Sequence, residues 1–138
     1  MADVKGLKVL VVDDEPDSVS YATSALREMG LQVISASNGV EGLDKVCSEM
    51  PDLVILDIQM PEKDGFSVLV DMKEDPQLRT IPVVMLTAVG ERTGIHVSAA
   101  QVGEYLGEEP DAYVEKPVDP QVLQQTVRRI LSARADAE

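Results

Sequence analysis

Five short apolar runs constrain what this chain can fold into, and four of them give way at their carboxyl ends to residues suited to metal or phosphate chemistry. Leu7 to Val12 is valine-rich and apolar throughout, as a strand buried on both faces of a parallel sheet must be. Gln32 to Ala36, Leu53 to Leu56 and Pro82 to Leu86 resemble it, and Ala112 to Val114 is a shorter fifth run. Between them the apolar residues take a helical period, over Asp17 to Met29 with Gly30 as a stop, Gly39 to Glu49, Gly65 to Glu74 and Asp119 to Ala135. Strand and helix in alternation, joined by short links, favour right-handed crossovers and a parallel sheet covered on both faces. The expected fold class is α/β, a three-layer sandwich. Sites in such sheets form beyond the carboxyl ends of the strands, and there stand Asp13 and Asp14, Asp57, Thr87 and Lys116.

Composition narrows the function classes. A chain of 138 residues, 44% hydrophobic, has the size and the apolar content for one core, so a single domain over 1–138, with its core at about 7–132 and no output domain, is expected. The formal net charge of −13 would repel nucleic-acid phosphates, which makes a protein the expected partner and excludes direct nucleic-acid binding. No apolar run approaches the ~20 residues that span a bilayer, and no cleavable leader is visible. No membrane insertion and a cytoplasmic location follow. The lone Cys47 cannot form an internal disulfide and is expected to pack, buried or half-buried, in the second helix.

Three carboxylates converging at strand ends repel one another, and the arrangement becomes favourable mainly with a divalent cation. Hard oxygen ligands with water completing an octahedron suit magnesium best. Asp57 is the first polar residue after four apolar ones, so it is placed at the sheet's edge as a partly shielded nucleophile. A carboxylate accepts a phosphoryl group when nearby cations and donors take up the charge on its oxygens. Lys116 offers a compact positive charge and Thr87 a hydroxyl donor. Asp13 and Asp14 can equally cap a helix starting at Pro16, and both roles stay open.

Five motifs, Val11-Val12-Asp13-Asp14-Glu15, Ile55-Leu56-Asp57-Ile58-Gln59-Met60-Pro61, Asp64-Gly65, Met85-Leu86-Thr87-Ala88 and Glu115-Lys116-Pro117, occur in this order, each at a strand end. With them the chain resembles the receiver domains of two-component response regulators, from about Lys8 to about Leu131. The resemblance implies a flavodoxin-like, doubly wound sheet of five parallel strands in the order 2-1-3-4-5. It implies that Asp57 is the phosphoacceptor and that Asp14, Asp57 and the backbone carbonyl of Gln59 hold Mg2+, with Asp13 acting through water. Thr87 and Lys116 would contact the phosphoryl group, Thr87 and Tyr113 would act as the switch pair, and the Lys116–Pro117 bond would be cis. Pro61, Gly65 and Pro117 are expected to be structural. Asp64 and Glu15 stand outside this set, with Glu15 tuning the local field.

The phosphodonor implied is a sensor histidine kinase or a histidine phosphotransfer protein, and the readout is contact with a downstream protein effector. Two other functions are weighed against this one. A magnesium-dependent hydrolase of haloacid-dehalogenase type would need a second aspartate two residues after the nucleophile, where this chain has Gln59. A receiver-like binding module that works without phosphorylation would more often lack one of the acceptor residues, and none is missing. The stretch from Thr87 to Lys116 is longer than the family's usual layout, with a glycine-containing loop at Val89 to Gly94, a helical stretch at Val97 to Leu106, and the only histidine, His96.

Overall fold

In the computed structural model of the chain, the described residues are 4–60, 62–88 and 110–137. The five apolar runs form β1 (Lys8–Val12), β2 (Gln32–Ala36), β3 (Leu53–Asp57), β4 (Val83–Ala88) and β5 (Ala112–Lys116). All neighbours pair in parallel, in the order β2-β1-β3-β4-β5. The helices among the described residues are α1 (Pro16–Glu28), α2 (Gly39–Glu49), α3 (Gly65–Glu74) and α4 (Pro120–Ala137). This is the doubly wound, flavodoxin-like strand order that the resemblance implies. The expected helix at Val97 to Leu106, the loop at Val89 to Gly94, His96 and Pro61 lie outside the described residues.

The sheet divides the core in two, because successive strand residues face opposite sides. Val9, Val11, Leu53, Ile55, Val84 and Leu86 pack with Ala22 and Leu26 of α1 and with Leu123, Val127 and Leu131 of α4. Leu10, Val12, Val54, Leu56, Val83 and Met85 pack with Val46 of α2 and with Val68, Leu69 and Met72 of α3. Each fully buried aliphatic side chain contributes roughly 1.5–3 kcal/mol.

Local chemistry sets the helix ends. Pro16 opens α1, where its missing N–H costs nothing, and Gly30 ends the turn with φ of +83°. Asn38 caps α2 by accepting the Glu41 N–H at 2.8 Å, and Asp64 caps α3 by accepting the Ser67 N–H at 2.8 Å. The residue at the N-cap of α1 is Glu15, with no side-chain cap bond, so Asp13 and Asp14 do not cap that helix. Cys47 is exposed, not packed. The buried stripe of α2 runs through Gly39, Gly42 and Val46, and the 100° step from Val46 turns the next residue toward solvent.

Candidate functional site

Three of the expected site residues turn out to be strand residues. The ladder runs one to two rungs further than the apolar runs do, pairing Asp57 with Leu86, Thr87 with Glu115 and Ala88 with Lys116. Backbone pairing therefore fixes these groups more tightly than a loop would. Asp13 follows β1 directly, and its N–H donates to the Ala36 carbonyl at 3.1 Å.

The structure brings Asp13, Asp14, Glu15 and Asp57 together. One carboxylate oxygen from each lies within 4.8 Å of the others. Asp13 and Asp57 are buried, at 1% and 6% exposure, whereas Asp14 and Glu15 are exposed. Lys116 reaches into the cluster from β5, its Nζ standing 2.9 Å from Asp13 Oδ2, 3.0 Å from Glu15 Oε1 and 3.2 Å from Asp57 Oδ1. The Asp13 pair is off the direction of a hydrogen bond. Asp13 Oδ2 is thus a buried oxygen with an ion pair but no hydrogen bond. The other Asp13 oxygen accepts the Glu15 N–H at 2.9 Å.

Burial pushes the Asp57 carboxyl up to about 7, with the Asp13 charge adding to the effect and Lys116 opposing it. For Lys116, burial works against the charge, but Asp13, Glu15 and Asp57 outweigh it and raise the ammonium's pKa above its ordinary value. Four carboxylates facing one ammonium leave an excess of negative charge, and the donors are all hard oxygens. That donor set, with one buried oxygen short of a hydrogen bond, fits a small divalent cation.

Beside the cluster a cleft of about 530 Å³ is lined by Asp14, Ile58, Gln59, Met60, Asp64 and Phe66. Gln59 therefore faces the same space as Asp14. Gly65 packs against the back of the site, where a Cβ would stand 2.3 Å from the Asp57 carbonyl oxygen. Only glycine permits that approach. Thr87 is half-buried on β4, one residue beyond the rung opposite Asp57. Tyr113, opposite Met85 on β5, is half-buried against the core on the α2 and α3 side. The Lys116–Pro117 bond is cis. Glu15 also belongs to the site: its hydrogen bond to Lys116 joins residues 101 positions apart and leaves no local trace in the sequence.

A doubly wound parallel sheet with an acidic pocket and a lysine at its carboxyl edge defines the class of phosphoryl-accepting signalling domains. The chain matches the response regulator receiver domain over residues 9–128 and belongs to that family. It is 37% identical over 127 residues to the response regulator Rre1 of Synechocystis, covering 91% of this chain and 52% of that one. It is 32% identical over 127 residues to protein PilH of Pseudomonas aeruginosa, covering 91% of this chain and 98% of that one. The chain spans about half the length of several curated relatives that it matches, Rre1 among them. Among solved structures, the signal receiver domain of a signal transduction histidine kinase from Syntrophus aciditrophicus superposes with a TM-score of 0.79 at 33% identity, covering 93% of this chain and 92% of that one. The pocket of Asp13, Asp14 and Asp57 fits the phosphoacceptor site of such receivers, which favours phosphoryl acceptance over the binding-module and hydrolase readings. No described helix is long and apolar enough to cross a membrane.

Proposed function

We propose that residues 1–138 act as one receiver unit in which Asp57 takes a phosphoryl group from a histidine kinase or a histidine phosphotransfer protein. The observation that carries this reading is the meeting of Asp57 and Asp13 within 3.2 Å of the Lys116 ammonium at the sheet's carboxyl edge. An Asp57 carboxylate oxygen attacks phosphorus, a P–O bond forms, and the bond from phosphorus to the donor's imidazole nitrogen breaks, its electron pair leaving with the imidazole. Lys116 places positive charge against the oxygens that gain charge during transfer, and Thr87 supplies a hydroxyl donor. Asp14, Asp57 and the Gln59 carbonyl would hold magnesium, with Asp13 acting through water. The ion would offset the crowded carboxylates and the charge on the phosphoryl oxygens.

The acyl phosphate carries ~1.5–2 negative charges where the carboxylate carried one. Thr87 moves toward the phosphoryl oxygens, Tyr113 fills the space it leaves, and the neighbouring surface changes for a downstream protein effector. The domain slowly loses its own phosphoryl group and is not a turnover enzyme, since Gln59 offers no acid where a hydrolase needs one. It acts in the cytoplasm, without direct nucleic-acid contact.

Acetyl phosphate with magnesium, read by intact mass, tests this reading. A phosphate-sized gain that requires magnesium and disappears in Asp57→Asn is the expected result. No gain in folded, magnesium-treated protein would overturn it.

A further inference from the structure

We propose that Glu15 is a positioning residue that holds Lys116 back from the incoming phosphoryl group and so slows phosphoryl acceptance. This rests on the reading of Asp57 as the acceptor. A lysine ammonium has three N–H donors, and here three carboxylates stand within reach of them, at 2.9, 3.0 and 3.2 Å. Only the Glu15 contact is aligned as a hydrogen bond to Lys116. A phosphoryl oxygen that takes the aligned N–H must therefore displace Glu15.

The three are not equivalent. Asp13 is buried, and Asp57 is the group that reacts, its oxygen forming the new P–O bond as the donor's P–O or P–N bond breaks and the leaving group takes the electron pair. Glu15 has a side chain 63% exposed, so water can solvate its carboxylate once Lys116 departs. It is the contact that yields. Glu15 is anchored from its backbone, because its N–H donates to Asp13 Oδ1 at 2.9 Å. Its carboxylate thus stands at the mouth of the site with its reach set by that bond. Lys116 released from Glu15 is free to meet the charge that develops on the phosphoryl oxygens in the loose transition state.

Three variants separate this role from the alternatives. Glu15→Ala removes both contact and charge, Glu15→Gln keeps the shape without the charge, and Glu15→Asp keeps the charge but withdraws it by one methylene. Acetyl phosphate at subsaturating concentration with magnesium serves as the donor, and the rate of mass gain is read. All three variants are expected to accept faster, Glu15→Ala and Glu15→Gln by roughly two- to fivefold, the range that an exposed ion pair supports. A wild-type rate in Glu15→Gln would mean that the residue only fills space and would overturn the proposal. So would a wild-type rate in Glu15→Asp, which would leave only a general repulsion between the acidic surface and the anionic donor. Slower acceptance in all three would make Glu15 a helper and reverse the assignment. Failure of the wild type to gain mass would instead sink the acceptor reading itself.

Discussion

At the scale of single residues, the site is governed by what happens when a carboxylate is buried beside others of its kind. Asp57 ordinarily titrates near 3.8, and in the folded chain near 7. Between those values the folded state holds a proton that the unfolded state has released. Stability therefore falls as pH rises through this window, the penalty being absent below about 4 and complete above about 7. In metal-free buffer the wild type is expected to lose about 1–2 kcal/mol from pH 4 to 7, a figure discounted for the solvent that still reaches the site. Denaturant melts across that range should show the loss, and Asp57→Asn should flatten it. Divalent cations compete with the same proton, so magnesium affinity should rise over the same interval, which titration calorimetry at several pH values can follow. Gly65→Ala belongs here too. A methyl group 2.3 Å from the Asp57 carbonyl oxygen forces the acceptor strand or α3 to shift. Reduced stability together with impaired phosphorylation is the expected pair of effects, and a variant with wild-type values for both would show that the loop yields freely.

At the scale of elements, caps and strand ends set where each helix and strand stops. Asn38→Ala removes the bond to the Glu41 N–H and should cost about 1 kcal/mol, visible as a lower thermal midpoint with phosphorylation intact. Asp64→Ala removes an equivalent cap but also touches the cleft that holds Asp14 and Gln59. It should cost a similar amount and alter the phosphorylation rate as well. Such elements are legible in sequence because their causes are local: Gly39–Glu49 and Gly65–Glu74 are bounded by cap residues and apolar period alone. Sequence pattern ends the strands short, because the apolar runs stop at Leu56 and Leu86, whereas the ladder is decided by the neighbouring strand. Cys47 was misplaced for a related reason. One residue's offset on a helix turns the side chain by 100°, and period alone leaves that offset loosely fixed. The Glu15 contact with Lys116 is not legible in the sequence, because the two are brought together only by the β1, β3, β4, β5 order of the sheet.

For the whole molecule, a sheet sandwiched between two apolar layers makes the site inseparable from the core. Leu10 is fully buried in the layer toward α2 and α3, and Leu10→Ala should cost about 2–5 kcal/mol, read by denaturant melts. The order of the strands has its own consequence. The carboxylates hang from β1 and β3, which have partners on both sides, while Lys116 hangs from β5, which among the described residues has a partner on one side only. The anionic half of the site is thus braced from both sides of its strands, and its cationic half from one.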